Sequence, residues 1–150
     1  MGEVGGADPV VMTGRVDVIP EDECRELLAG TRVGRVAVSH DALPVIAPVN
    51  YVVDGNSIVF RTRSDGMLAR ACADAVIAFE IDDLSADGSF GWSVNVVGIA
   101  ALLTEMERAR AARLGLVSAA GEGRDTFVRL NIGVLSGRRV TPAEIAASSA

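Results

Sequence analysis

The chain has 150 residues, 49% hydrophobic and only 4% aromatic, with a net charge of -6 and a pI near 4.7. That is enough apolar material for one domain with a real core, and too acidic a balance for a general nucleic-acid binder, which needs a basic face to displace counterions. All fourteen basic residues are arginine, which excludes Schiff-base chemistry through lysine and covalent attachment of pyridoxal phosphate.

No apolar run approaches the roughly 20 residues that cross a bilayer, and the N-terminus lacks the order of a secretory leader, so no membrane is expected and the setting reads as cytoplasmic. Residues 1–14 are rich in glycine and other small residues and read as a flexible arm, with residues 15–150 forming a single domain. Val16, Val18 and Ile19 make a short entry strand. Pro20 and the acidic Glu21, Asp22 and Glu23 suit a helix start, with Cys24, Leu27 and Leu28 as its apolar stripe and Gly30 as its stop. Cys24 and Cys72 have neither disulfide-scaffold nor zinc spacing and read as buried thiols; no metal site is expected.

Val33 to Ser39 alternates as a strand, and His40 to Leu43 turns the chain. His40 stands alone there, with no partner to make it a catalyst. Pro44 to Val53 is the next strand. Pro48 cannot donate to a ladder and demands an edge or a bulge, which makes the neighbouring Asn50 a candidate ligand contact. Asp54-Gly55-Asn56 between two apolar runs is a hairpin signal. Along the second run Ile58, Phe60 and Thr62 share one face, and Ser57, Val59 and Arg61 the other. The strand end thus delivers Arg61, Thr62 and Ser64 close together, a set that suits a phosphate, although spacing alone favours the plainer reading of a solvated hairpin end.

Asp65 is placed to cap a short helix over Gly66 to Cys72. Ala75 to Ile81 is an apolar strand. The carboxylates Glu80, Asp82 and Asp83 read as its wet end, with metal binding or acid–base chemistry as the alternative. Gly91 to Leu103 is a long strand that starts with the only tryptophan, and Gly98 within it implies a bulge, a bend or a close backbone approach. Thr104 and Glu107 form a capping box for a helix to Leu114, with Arg108, Arg110 and Arg113 as its solvated face. Val117 to Asp125 reads as a mobile flap, Thr126 to Val134 as the last strand, and Thr141 as the cap of a terminal helix. About six mostly antiparallel strands with few helices argue for a barrel over a doubly wound sheet. Neither a G-x-G-x-x-G nor a Walker loop is present.

The runs VGRVAVS (33–39), PVNYVVDGNSIVFRT (48–62), FEID (79–82), GWSVNVVG (91–98) and SGRRV (136–140) together resemble the pyridoxamine 5′-phosphate oxidase-like family of split β-barrel flavoproteins, from about Cys24 to Val140. The nearest branch is that of small actinobacterial-type FMN binders and coenzyme F420-dependent reductases. The resemblance implies a mainly β (α+β) split barrel and a homodimer with two flavin sites at the subunit interface. It also implies FMN as cofactor, with Arg61, Thr62 and Ser64 at its phosphate and Pro48, Val49 and Asn50 along its ring. Trp92 and Ser93 would complete the site, often from the other subunit, although Trp92 reads also as simple packing.

Relatives commonly carry a lysine where this chain has Met67; Arg70, about one helical turn on, is the candidate replacement. The expected activity is that of an FMN-dependent oxidoreductase acting on a small molecule, with no catalytic side chain assigned. The alternatives are an F420-dependent reductase, with Arg63, Arg138 and Arg139 available for an acidic tail, and a flavin-binding or ligand-sensing module that is not an enzyme.

Overall fold

The computed structural model describes residues 14–116 and 125–142. The expected arm (but for Gly14), the flap over 117–124 and the terminal helix from 143 on lie outside the described residues. In chain order the elements are β1 (Arg15–Val18), α1 (Glu21–Gly30), β2 (Val33–His40), β3 (Leu43–Asp54), β4 (Ser57–Arg63), α2 (Met67–Ala71), β5 (Ala75–Leu84), β6 (Gly91–Leu102), α3 (Glu105–Ala112), β7 (Asp125–Asn131) and β8 (Val134–Thr141). No helix among the described residues is long and apolar enough to cross a membrane.

All pairings are antiparallel, in the order β1-β8-β6-β5-β2-β3-β4-β7, and β6 pairs also with β7. Six strands therefore close into a barrel, and β8 and β1 extend it from β6. Period-2 alternation explains the core. Val36 and Val38 of β2, Ile77, Phe79 and Ile81 of β5, and Val94 and Val96 of β6 point inward and are buried. Tyr51 meets Phe79 edge-on at 4.8 Å, and a side chain at Gly34 would collide with that phenyl ring. The helix α1 lies against this core through Cys24 and Leu28, both buried, and the Tyr51 hydroxyl donates to the Leu28 carbonyl at 2.6 Å. On the outside of the barrel α3 covers a second cluster of Val59, Leu103, Ala111 and Phe127, and Thr104 and Glu107 form its capping box.

Pro48 lies on an open edge, as its chemistry requires. Gly98 is the expected close approach: a side chain there would collide with the Asn131 carbonyl. Other expectations need correction. Among the described residues two strands join the six of the barrel, and the run 126–134 is not one strand but breaks after Asn131. The Gly133 amide donates to the Val97 carbonyl (3.1 Å), and the chain then restarts as β8 on the far side of β6, ending at Thr141 instead of capping a helix there. Gly66, not Asp65, is the N-cap of α2; the Asp65 carboxylate accepts from Arg63 Nε at 3.4 Å. Arg110 does not belong to a purely solvated face, because its guanidinium donates to Asp54 at the end of β3 at 3.1 Å.

Candidate functional site

The N-terminal half of β3 has a neighbour on one side only. It pairs with β2 from Leu43 to Asn50, whereas pairing with β4 begins at Tyr51–Phe60. The Tyr51 amide donates to the Arg32 carbonyl (3.0 Å), so the two-residue alternation turns the backbone groups of Asn50 and Pro48 to the open side. A proline without N–H costs nothing there. The side chains of Pro48 and Asn50 are exposed on the outer face, while Val49 is buried within.

Arg61 reaches the same outer face. Val52 and Val59 are cross-strand partners that pack outside the barrel, and Asn50 and Arg61 each lie two residues further toward the open edge. The Arg61 guanidinium stands over the Phe127 ring, 5.7 Å from its centroid. Thr62, half-buried and in register with Thr126, points to the opposite face of the strand. Ser64 is exposed in the following loop, and Arg70 is exposed on α2 with its guanidinium donating to the Asp65 carbonyl at 3.3 Å. Met67 packs against the core. Arg61, Thr62 and Ser64 thus stand at one strand end, with Arg61 and Thr62 on opposite faces.

Trp92 and Ser93 are not part of this cluster within one chain. They open β6, three strands across the sheet from β3. The half-buried Trp92 packs against the core, while Ser93 faces outward in register with Asp82 and Arg138.

The sheet register also assembles a group that sequence reasoning did not foresee. Pro48, Arg35, Glu80, Asn95 and Ser136 form one row across five strands. Arg35 donates from one nitrogen to Glu80 at 2.9 Å and to Asp82 at 3.1 Å. Burial, followed by the hydrogen bond and charge of Asp82, pushes the Glu80 carboxyl up to about 7, against the opposing pull of Arg35. Only Asp83 of the three carboxylates fits the wet strand end expected; Glu80 and Asp82 are half-buried and tied to Arg35. The i, i+2 spacing of Glu80 and Asp82 signalled one shared face. Their cation, 45 residues earlier, carried no local signal.

A groove of about 690 Å³ opens beside Asn50, between α1, β3 and the residues after α3. Chemically, then, this side of the barrel offers an open backbone edge able to pair with the heteroatoms of a ring, a guanidinium at its end for an anion, and a carboxyl that exchanges its proton near neutrality.

The sequence matches the family model described as pyridoxamine 5′-phosphate oxidase over residues 20–144. It is 37% identical over 128 residues, 81% of this chain and 84% of the other, to an uncharacterized protein of Mycobacterium tuberculosis. The fold is similar to that of the FAD binding protein from Mycobacterium smegmatis, with a TM-score of 0.69 and 30% identity over 83% of this chain and 97% of that one. It is similar as well to a Corynebacterium glutamicum protein provisionally named a pyridoxamine 5′-phosphate oxidase, with a TM-score of 0.71 and 28% identity over 86% and 96% of the two chains.

Proposed function

Because the chain belongs to the pyridoxamine 5′-phosphate oxidase family, we propose that it is a flavin-dependent oxidoreductase that binds FMN along the open edge of β3 and acts on a small molecule. The observation that carries this reading is the shared outer face of Asn50 and Arg61 beside backbone groups that no strand covers. Those features fit the cofactor. The edge at Pro48, Val49 and Asn50 would meet the ring, and Arg61 would hold the phosphate with the Ser64 hydroxyl, Thr62 being able to join only where the phosphate lies beyond the end of β4. Arg70 would stand in for the relatives' lysine. When bound, the flavin supplies the electron transfer; the chain supplies binding, orientation and local electrostatics.

Trp92 and Ser93, remote from the cradle in one chain, would reach it from a second copy, so this reading includes a homodimer. A coenzyme F420 site is less well supported, because two of the arginines it would draw on are engaged: Arg63 with Asp65, and Arg139 with Glu23. The relative from Mycobacterium smegmatis is named for FAD, which keeps a flavin as the common element.

The test is titration of the purified protein with FMN, FAD, riboflavin and F420. Arg61→Ala should weaken FMN by about ten- to a hundredfold, the worth of charge-assisted hydrogen bonds, and leave riboflavin almost unaffected. Equal losses for FMN and riboflavin would mean that Arg61 serves the fold instead. If none of the flavins binds, the proposal fails.

A further inference from the structure

The groove beside Asn50 has mixed walls. Val52, Leu114 and Leu116 supply apolar surface, and Thr31, Arg32 and Asn50 supply polar groups. Among the described residues no carboxylate lines it, in a chain whose net charge is -6. At the end of α1 the Leu28 carbonyl accepts from both the Tyr51 hydroxyl (2.6 Å) and the Thr31 amide (3.5 Å). Arg32 therefore carries the formal charge of the groove. Many arginines of this chain are engaged: Arg25 with Glu21 and Asn56, Arg35 with Glu80 and Asp82, Arg129 with Asp54 and Ser57. Among the described residues the Arg32 side chain has no such partner. A guanidinium without an anion, on the wall of a half-apolar cavity of ligand size, is complementary to a planar carboxylate.

We infer that this groove binds a small amphipathic carboxylate, with its acid group on Arg32 and its apolar body against Val52, Leu114 and Leu116. One cation with two neutral polar groups matches a single negative charge better than a phosphate dianion. Asn50 belongs both to the groove and to the open edge of β3, so the ligand would lie next to the cofactor. Its use as a redox substrate rests on the flavin reading; its binding does not.

The probe is 2-naphthoate, followed by its fluorescence on the full chain with and without added FMN, with neutral 2-naphthalenemethanol as control. Wild-type protein should bind about one 2-naphthoate per chain. Arg32→Gln should weaken it about ten- to a hundredfold and leave the alcohol unchanged. Ala29→Trp, at an exposed position on the groove wall, should weaken both by filling the space. Equal affinity of wild type and Arg32→Gln for the carboxylate would overturn the inference, as would loss of binding in neither variant. Displacement of FMN by 2-naphthoate would also overturn it, because the groove would then be the cofactor's own. Intact 2-naphthoate binding in a protein that takes no flavin would uphold the groove and sink the flavin reading alone.

Discussion

Glu80 shows how one residue draws its chemistry from the register of distant strands. Its folded-state value of about 7 lies above the ordinary 4.5, so over that interval the folded chain holds a proton that the unfolded chain has released. The groups that face it are Arg35 on β2, Asp82 on its own strand, and the uncharged Asn95 on β6. The stabilisation is fully present below about 4.5 and is lost as pH rises through about 7. Glu80→Gln removes the titration and should flatten the stability curve across that window, as read by urea melts at successive pH values; an unchanged slope would mean that other groups set it. Little of this was legible in the sequence. Alternation put Glu80 and Asp82 on one face, but the pairing of β2 with β5 that delivers Arg35 is long-range. The same limit applies to Arg61 and Thr62: alternation already separated their faces, and only the strand end unites them.

At the scale of elements, α3 is fastened to the barrel through the β3–β4 hairpin. Asp54, with only 11% of its side chain exposed, accepts from Arg110 at 3.1 Å and from Arg129 at 3.2 Å, and Arg129 also donates to the Ser57 hydroxyl at 2.6 Å. Asp54→Ala leaves the half-buried Arg129 with only the more distant Glu107 carboxylate at 3.9 Å and should cost about 1–3 kcal/mol. Arg110→Ala, at a side chain 71% exposed, should cost about 1 kcal/mol or less. Urea denaturation of the two variants checks the contrast, and similar costs would show that the buried arginine is not the anchor. The hairpin and the capping box were readable because turn and cap chemistry is local. The break between β7 and β8 was not, because it depends on how closely Asn131 and Gly133 approach β6.

The whole molecule presents an apolar row on its outer face. Ile46, Ala37, Ala78, Val97 and Val134 are linked by register across five strands, with Val76 and Ile99 as the next rung. Ile46, Val76, Val97, Ile99 and Val134 are all exposed. An apolar patch of this kind on a sheet face marks an interaction surface, and a second copy would cover it. Sedimentation should therefore give about twice the 15.6 kDa chain mass. Val97→Asp should return the protein to one chain mass with its circular dichroism intact. A wild-type chain that sediments as a folded monomer while binding FMN would refute both the dimer and a site shared between copies. The barrel itself was legible from strand spacing and turn signals; the apolar row was not, because it depends on which strands lie side by side.

The change of partner along β6 has a dynamic consequence. Its ladder with β5 runs for ten rungs, whereas the seam with β7 that shuts the barrel has only three, Ala100 to Leu102. The ring of strands is thus as durable as its shortest joins, this seam and the equally short one between Arg35–Ala37 of β2 and Ala78–Glu80 of β5. Breathing should begin there, with β7 swinging away while β5, β6 and β8 stay zipped. Amide exchange should accordingly be faster along these joins than in the amides that bond across the β5–β6 ladder, by a margin that grows with mild denaturant and vanishes only if the barrel opens all at once.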